Sequence, residues 1–344
     1  MNPSTPPAAG GSRPSVSPAD SSEVVQIPKV LLGFFVSICS ALSWGVGNAV
    51  TRWSADKYPA AAFDIIVLKY LLAGAALLVV GGMLMARGRQ RLHRPDFKVG
   101  NKWFLWSVVF KSLDAYLFVV AVTMIPATTV ATFENLHVVW TAILLVAAFG
   151  ANIPRSWLTS SVIIVIGASL ITGIAEDSFR AENVFGLSIA VSTGLFFALF
   201  NIAWVSVAIE RIRFDIRTLN MGLFLVLTGV LTFPLHVMYS LAAGEALTLP
   251  FTALPMKHLV VQSINGLLGI GATYFLMNEA ISLMRGAGRA ASLLLGLGIS
   301  SAVLFTLLTE MIWFEQSVST MQWIGLVLFS VGFASVRSDL LRRG

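Results

Sequence analysis

"ENLHVVWTAILL", residues 134–145, opens with a carboxylate and an imidazole three positions apart and then runs on almost without a polar residue. In a soluble protein it would be one core helix among others. In a bilayer it would be a span with ionisable groups at membrane depth, where each needs a partner or a task. Composition separates the two cases. Of 344 residues 56% are hydrophobic and 12% are charged, and the mean hydropathy is +0.82. Soluble domains average roughly 25% charged residues, so this chain has too little polar side chain to cover a soluble surface.

Working outward from that stretch, apolar runs of roughly 20 residues recur along the chain, the length that crosses a bilayer as a helix. They fall at about 30–50, 61–85, 103–125, 127–149, 156–174, 184–207, 217–241, 258–282, 286–309 and 319–337. No alternating strand pattern of the barrel type accompanies them. The expectation is an all-α integral membrane protein with ten transmembrane helices.

Residues 1–28 have a different composition, rich in Pro, Ser, Ala and Gly, which predicts a disordered cytoplasmic N-terminal tail and not a cleaved signal. The single cysteine, Cys39, lies in the first span and excludes an intramolecular disulfide. The net charge of +6 is segregated. Arg87, Arg89, Arg91, Arg94, Lys98 and Lys102 crowd the second connection. Arg155, Arg211, Arg213, Arg217, Arg285, Arg289, Arg337, Arg342 and Arg343 follow in later even-numbered connections or at the C-terminal end. The odd-numbered connections are acidic or near neutral, as around Asp177 and Glu245. Arg52 and Lys57 in the first are a mild exception. This asymmetry puts both termini in the cytoplasm of a multi-pass protein of the cell (inner) membrane, and it accounts for the basic excess without nucleic acid.

Ten spans invite comparison of the two halves. "ALSWGVGNAV" at 41–50 aligns with "GLFFALFNIA" at 194–203, setting Trp44 over Phe197 and Asn48 over Asn201. A small residue precedes Tyr116 in the third span and Tyr274 in the eighth. Five spans per half is odd, so the halves would enter the membrane in opposite senses, as two inverted five-helix repeats. The repeats are expected at 29–176 and 177–338, with a short cytoplasmic tail at 339–344.

The chain also resembles the drug/metabolite transporter superfamily, EamA-like type. The likeness rests on "SWG" at 43–45, the tight hairpin "VTMIPATTVA" at 122–131, "NVFGLSIAVSTGLFFALFN" at 183–201, and "FEQSVSTMQWIGLVLFSVGF" at 314–333. Glu315 stands where the family often has a Gly-Glu pair. The prolines usual in the family's fourth and ninth spans are missing from "NLHVVWTAIL" and "GISSAVLFTLL", and the Gly-Glu pair after the fourth span is replaced by "GANIP". The resemblance implies a two-domain membrane transporter.

The intramembrane polar residues carry the rest. A full charge at mid-span costs about 2.5–3.5 kcal/mol on insertion scales. Lys111 and Asp114, three apart on one helical face, can neutralise each other. Glu134 and His137 share an inward stripe with Val130 and Thr141, and Glu134 has no cation on its own helix. A carboxylate and a histidine one turn apart are therefore the expected proton-coupling pair. Trp44, Asn48, Tyr116, Asn201, Tyr274, Asn278 and Glu279 complete the expected substrate-binding set with Lys111, Asp114, Glu134 and His137. Arg285 is a candidate counter-ion for Glu279. Lys69 is expected to snorkel outward, Asp64 to be interfacial, and Glu310 and His236 to lie near span ends.

No metal site or cofactor is expected. Glu-x-x-His occurs once where a di-iron bundle needs it twice, "GAGRAA" follows no strand, and no phosphate-binding loop is present. The expected function is secondary transport, with export as the direction, of a small polar metabolite such as an amino acid. A proton or counter-substrate gradient would drive it. The alternative is an intramembrane enzyme or signalling protein using the same buried Glu, His and Asp. Expected partners are the metabolite and the lipid bilayer. A homodimer stays open, and nucleic acid is not expected.

Overall fold

The computed structural model describes residues 27–58, 62–88, 98, 101–125, 127–172, 184–208, 213–243, 255–314 and 318–342. Most of the tail read at 1–28, Pro126, the basic loop at 89–97, the segments around Asp177 and Glu245, Arg211, and Glu315 lie outside the described residues. Every regular element among those described is helical: α1 (Ile27–Lys57), α2 (Ala62–Arg87), α3 (Lys102–Met124), α4 (Ala127–Glu134), α5 (His137–Phe149), α6 (Arg155–Thr172), α7 (Val184–Ala208) and α8 (Phe214–Ala243). α9 (Met256–Asn265) passes through a π-helical stretch, Gly266–Gly271, into α10 (Ala272–Leu283). A 3-10 turn, Arg285–Ala290, then leads to α11 (Ala291–Ile299), α12 (Ala302–Phe314) and α13 (Thr320–Arg342). The last helix therefore runs through most of the segment expected as a tail from 339.

Eight helical stretches among the described residues are long and apolar enough to cross a membrane: Pro28–Thr51, Phe63–Arg87, Lys102–Ala121, Val130–Phe149, Val184–Ala208, Phe214–Met238, Met256–Leu283 and Arg285–Trp313. Arg155–Ile171 and Thr320–Val336 are shorter apolar helices. Hydroxyls within the spans bond back to carbonyls one turn earlier, as Ser112 to Val108, Thr228 to Phe224 and Thr232 to Thr228. Such bonds let a polar residue sit at membrane depth without an orphaned group.

Glycines set the closest crossings. A Cβ on Gly74 of α2 would lie 2.7 Å from the Val226 nitrogen of α8, and one on Gly222 of α8 would lie 2.7 Å from the Leu78 nitrogen of α2. Gly167 of α6 meets Phe329 of α13, and Gly325 of α13 meets Ile171 of α6, in the same reciprocal manner. Only a residue without a side chain lets the backbones approach so closely, the usual way helices associate in lipid. α3 packs along α7, α1 along α10 and α12, and α5 touches α11.

The run at 127–149, expected as one straight span, is broken at Asn135–Leu136, and the run at 286–309 is broken at Ser300–Ser301. Neither break contains proline. Side chains add donors at the carbonyls around the breaks. His137 Nδ1 lies 2.9 Å from the Glu134 carbonyl oxygen, the Asn135 amide donates to Ala131, and the Ser300 and Ser301 hydroxyls donate to Gly296 and Gly298. Polar side chains inserted into the ladder are a recognised cause of kinks.

Candidate functional site

A partly open cavity of about 480 Å³ lies between the helices of the first half. α1 contributes Trp44, Asn48 and Thr51, successive turns of one face, and α2 contributes Ile66, Lys69 and Tyr70. Lys111, Asp114, Ala115 and Phe118 come from α3, Glu134 from the end of α4, and Ile270 from the π-helical stretch. Trp44, Tyr70, Lys111 and Asp114 are buried, whereas Asn48, Thr51, Ile66 and Phe118 are half-exposed. The cavity therefore opens toward the end of the bundle where α1 stops and α2 starts.

Lys111 Nζ lies 2.5 Å from Asp114 Oδ2, the pairing that the i, i+3 spacing predicts, and both side chains are almost wholly buried. The ammonium also sits 4.4 Å from the ring centroid of Phe197, 5.0 Å from Trp44 and 5.6 Å from Phe200. Aromatic faces attract a desolvated cation by about 2 kcal/mol or more, so they hold Lys111 at the cavity floor. Asp114 Oδ1 is buried and has no hydrogen-bond partner.

Lys69 does not snorkel. It is buried and donates to Thr51 Oγ1 at 2.6 Å. A polar ladder continues from there. Asn265 donates to Thr51 and to the Gly47 carbonyl, Gln262 donates to Ser54 and to the Val50 carbonyl, and Ser54 meets His258 at 3.0 Å. Gly47 and Gly269 flank the Asn265 amide, where any side chain would collide. Lys69 makes no ion pair, and the Glu134 carboxylate makes neither an ion pair nor a hydrogen bond, among the described residues. One uncommitted carboxylate and one singly bonded ammonium thus face the same space.

The other expected site residues divide. His137 is buried behind Phe197, its Nδ1 against the Glu134 carbonyl and its Nε2 3.3 Å from the Gly296 carbonyl. It reaches the backbone of Glu134 and not its carboxylate. A neutral imidazole can donate to only one of those carbonyls, an imidazolium to both. Asn201 is fully buried in the same region. Tyr274 packs behind the cavity wall, 5.9 Å from Trp44 and 6.3 Å from Tyr70. Tyr116 points elsewhere, into a cluster with Phe63, Val67 and Val120.

Glu279 pairs with Arg217 of α8, not with Arg285, and the Asn278 amide is directed at the Arg217 carbonyl 3.5 Å away. Neither lines the cavity. Asp64 is buried in the first turn of α2, and His236 stacks on Phe63 with centroids 3.9 Å apart. Thr51, Ile66, Lys69, Tyr70, Ala115, Phe118 and Ile270 line the cavity and were not among the expected site residues. Three of them follow from extending a marked face by one turn: Thr51 from Asn48, Ala115 from Lys111 and Phe118 from Asp114. Among the described residues no group of three His, Cys, Asp or Glu is close enough to hold a metal ion.

Charged and aromatic groups thus surround a half-open cavity among glycine-crossed helices. Residues 31–173 match the EamA-like transporter family. This EamA-like segment spans α1 to α6 and supplies every cavity-lining residue except Ile270. A solved structure described as "Crystal structure of protein" is similar to the chain with a TM-score of 0.68 and 16% identity, over 90% of this chain and 97% of the other. At that identity the likeness shows the fold alone, but it extends the shared fold beyond the EamA-like segment into the second half. No curated protein sequence matches the chain.

Proposed function

We propose that the chain is a secondary transporter of a small zwitterionic or cationic metabolite, such as an amino acid. It would work by alternating access around the cavity between α1, α2, α3 and α4. The observation carrying this reading is the pairing of an uncommitted carboxylate, Glu134, with a singly bonded ammonium, Lys69, at the walls of one cavity. A zwitterion satisfies both at once, and buried charges that lack partners are otherwise unfavourable. A dianion would gain Lys69 but face Glu134 and Asp114.

Ten crossings in two inverted repeats, over 29–176 and 177–338, form part of the proposal. α6 and α13 are the fifth and tenth. Their 17-residue apolar cores are about 26 Å long at 1.5 Å per residue, a few Å short of a hydrocarbon core of about 30 Å, a mismatch that bilayers absorb by local thinning. The reciprocal glycine contacts of α2 with α8 and of α6 with α13 support a two-fold relation between the halves. The matching breaks, α4/α5 and α11/α12, support it too. The basic connections support cytoplasmic termini, so that the cavity faces outward here.

Glu134 is the coupling group. A proton arriving from outside and a substrate ammonium compete for its carboxylate, so protonation releases substrate to the side the cavity faces, which makes export the direction. His137, able to bridge the Glu134 and Gly296 carbonyls when doubly protonated, tunes this step through the broken helix. Proteoliposomes containing only this chain test the reading. Amino acids or amines should compete for flux driven by a pH gradient, and phosphorylated sugars should not. Glu134→Gln should abolish gradient-driven flux while the protein stays folded and still exchanges substrate. His137→Ala should move the pH optimum and keep some coupled flux. Undiminished gradient-driven flux in Glu134→Gln would remove Glu134 from the mechanism.

A further inference from the structure

Phe197 occupies a position that the cavity alone does not explain. On one side of its ring lies the Lys111 ammonium, 4.4 Å from the centroid. The His137 ring meets it edge-on at 4.6 Å, with planes 76° apart. Trp44 adds a second edge contact at 5.4 Å, and the Phe197 side chain is only 1% exposed. Lys111 and Trp44 belong to the cavity wall, while His137 does not. A single aromatic ring therefore separates the open cavity from whatever surrounds His137.

That region is polar and closed. Asn201, one turn beyond Phe197 on α7, is fully buried, and neither its amide nitrogen nor its amide oxygen has a hydrogen-bond partner. Thr141, one turn beyond His137 on α5, is fully buried with its hydroxyl likewise unpaired. A Cβ built on Gly296 would lie 3.4 Å from His137 Nε2 and 3.9 Å from Asn201 Nδ2, so both side chains approach the same bare backbone of α11. A buried polar group without a partner is unfavourable, and no lipid can offset it. Such a cluster calls for a partner that is engaged in another state.

The alignment of the halves says which state. Trp44 stands over Phe197 and Asn48 over Asn201, and Asn48 lines the open cavity while Asn201 is enclosed. We propose that Phe197 is the partition of the transport pathway and that Asn201, with Thr141 and His137, forms a second polar contact site for the substrate. That site is closed here and opens toward the end of the bundle where α1 begins. The inference rests on the transport reading. In the opposite-facing state Lys111 leaves the face of Phe197, the ring turns aside, and Asn201 takes the role Asn48 has in this conformation. The Asn201 amide, a donor and an acceptor together, suits the carboxylate or the ammonium of the same zwitterion.

Thiol accessibility tests it. Cys39 is the only cysteine, so Cys39→Ser gives a background in which Asn48→Cys and Asn201→Cys are introduced separately. A charged, membrane-impermeant methanethiosulfonate is applied to sealed vesicles of each orientation. Asn48→Cys should react from one face and Asn201→Cys from the opposite face only. Phe197→Ala should raise the Asn201→Cys rate by about tenfold, the scale of losing the aromatic contacts that hold the partition shut. Phe197→Leu, which keeps apolar bulk without a ring face, serves if the alanine variant fails to fold. Resistance of Asn201→Cys from both faces while Asn48→Cys reacts would overturn the second site and leave the transport reading intact. Reaction of both from the same face would overturn the partition. Resistance of both cysteines would overturn the cavity as a pathway, and this inference with it.

Discussion

α2 and α8 meet in the same shape and differ in what they do with charge. The register that sets Gly74 over Gly222 also sets Leu71 over Leu219, Leu78 over Val226 and Gly81 over Gly229. In that register Gly81 meets Leu219 as Gly229 meets Leu71. It also sets Lys69 over Arg217. Lys69 faces the open cavity and, among the described residues, is held by Thr51 alone, whereas Arg217 is committed to Glu279. The same asymmetry runs through the rest of the molecule. Lys69, Lys111, Asp114 and Glu134 all come from the first half, and the second half gives the cavity lining only Ile270. Packing geometry repeats because helix crossings need small residues at fixed places. Charge need not repeat, because no glycine crossing depends on a charged side chain.

That contrast can be broken at several points. The largest effect is expected at the cavity floor. Lys111→Met or Asp114→Leu alone should lower stability by about 3–5 kcal/mol, since each strands a buried charge. The double variant should lose less than either, read from thermal unfolding in detergent. Simple additivity would show that the two do not act as a pair. Next come the crossings. Gly74→Ala and Gly222→Ala should each destabilise by about 1–3 kcal/mol through overpacking, and by similar amounts. A silent result at one of them would end the claim of equal geometry.

A smaller effect is expected at the committed cation. Glu279 is only partly buried, so the pair contributes about 1 kcal/mol. Glu279→Gln should therefore raise the modification rate of Asn201→Cys about fivefold by loosening the closed end. No change would assign Arg217–Glu279 to surface structure alone. Smallest of all, Tyr116→Phe should leave flux unchanged and shift stability by about 1 kcal/mol or less, because the side chain packs with Phe63 and Val67 outside the cavity. A loss of flux there would mean that the pathway extends past α3 to that cluster.

Much of this was legible in the chain. The apolar runs placed the helices, since a span must be long and apolar whatever surrounds it. The Lys111–Asp114 pair was legible because partners three apart on one helix meet without help from a neighbour. Glu134 was legible as a carboxylate without a cation on its own helix. What lay between helices was not. Glu279 looked toward Arg285, six residues on, and found Arg217, which is sixty-two residues away in the chain. Tyr116 and Tyr274, matched by sequence, point to different surroundings.

The sequence by itself determined that this protein is a helical bundle in a membrane, where its helices run, and which ionisable residues they carry to depth. Hydrophobic length and helical spacing are local properties, and they act before any two helices touch. Only the tertiary structure decided that two spans break without proline, that Lys69 turns inward to Thr51, and that Phe197 stands between Lys111 and His137. Each depends on how a helix is rotated about its own axis. That rotation is fixed where backbones cross at Gly74, Gly222, Gly167 and Gly325, by contacts between residues that no periodicity along a single chain segment can bring together.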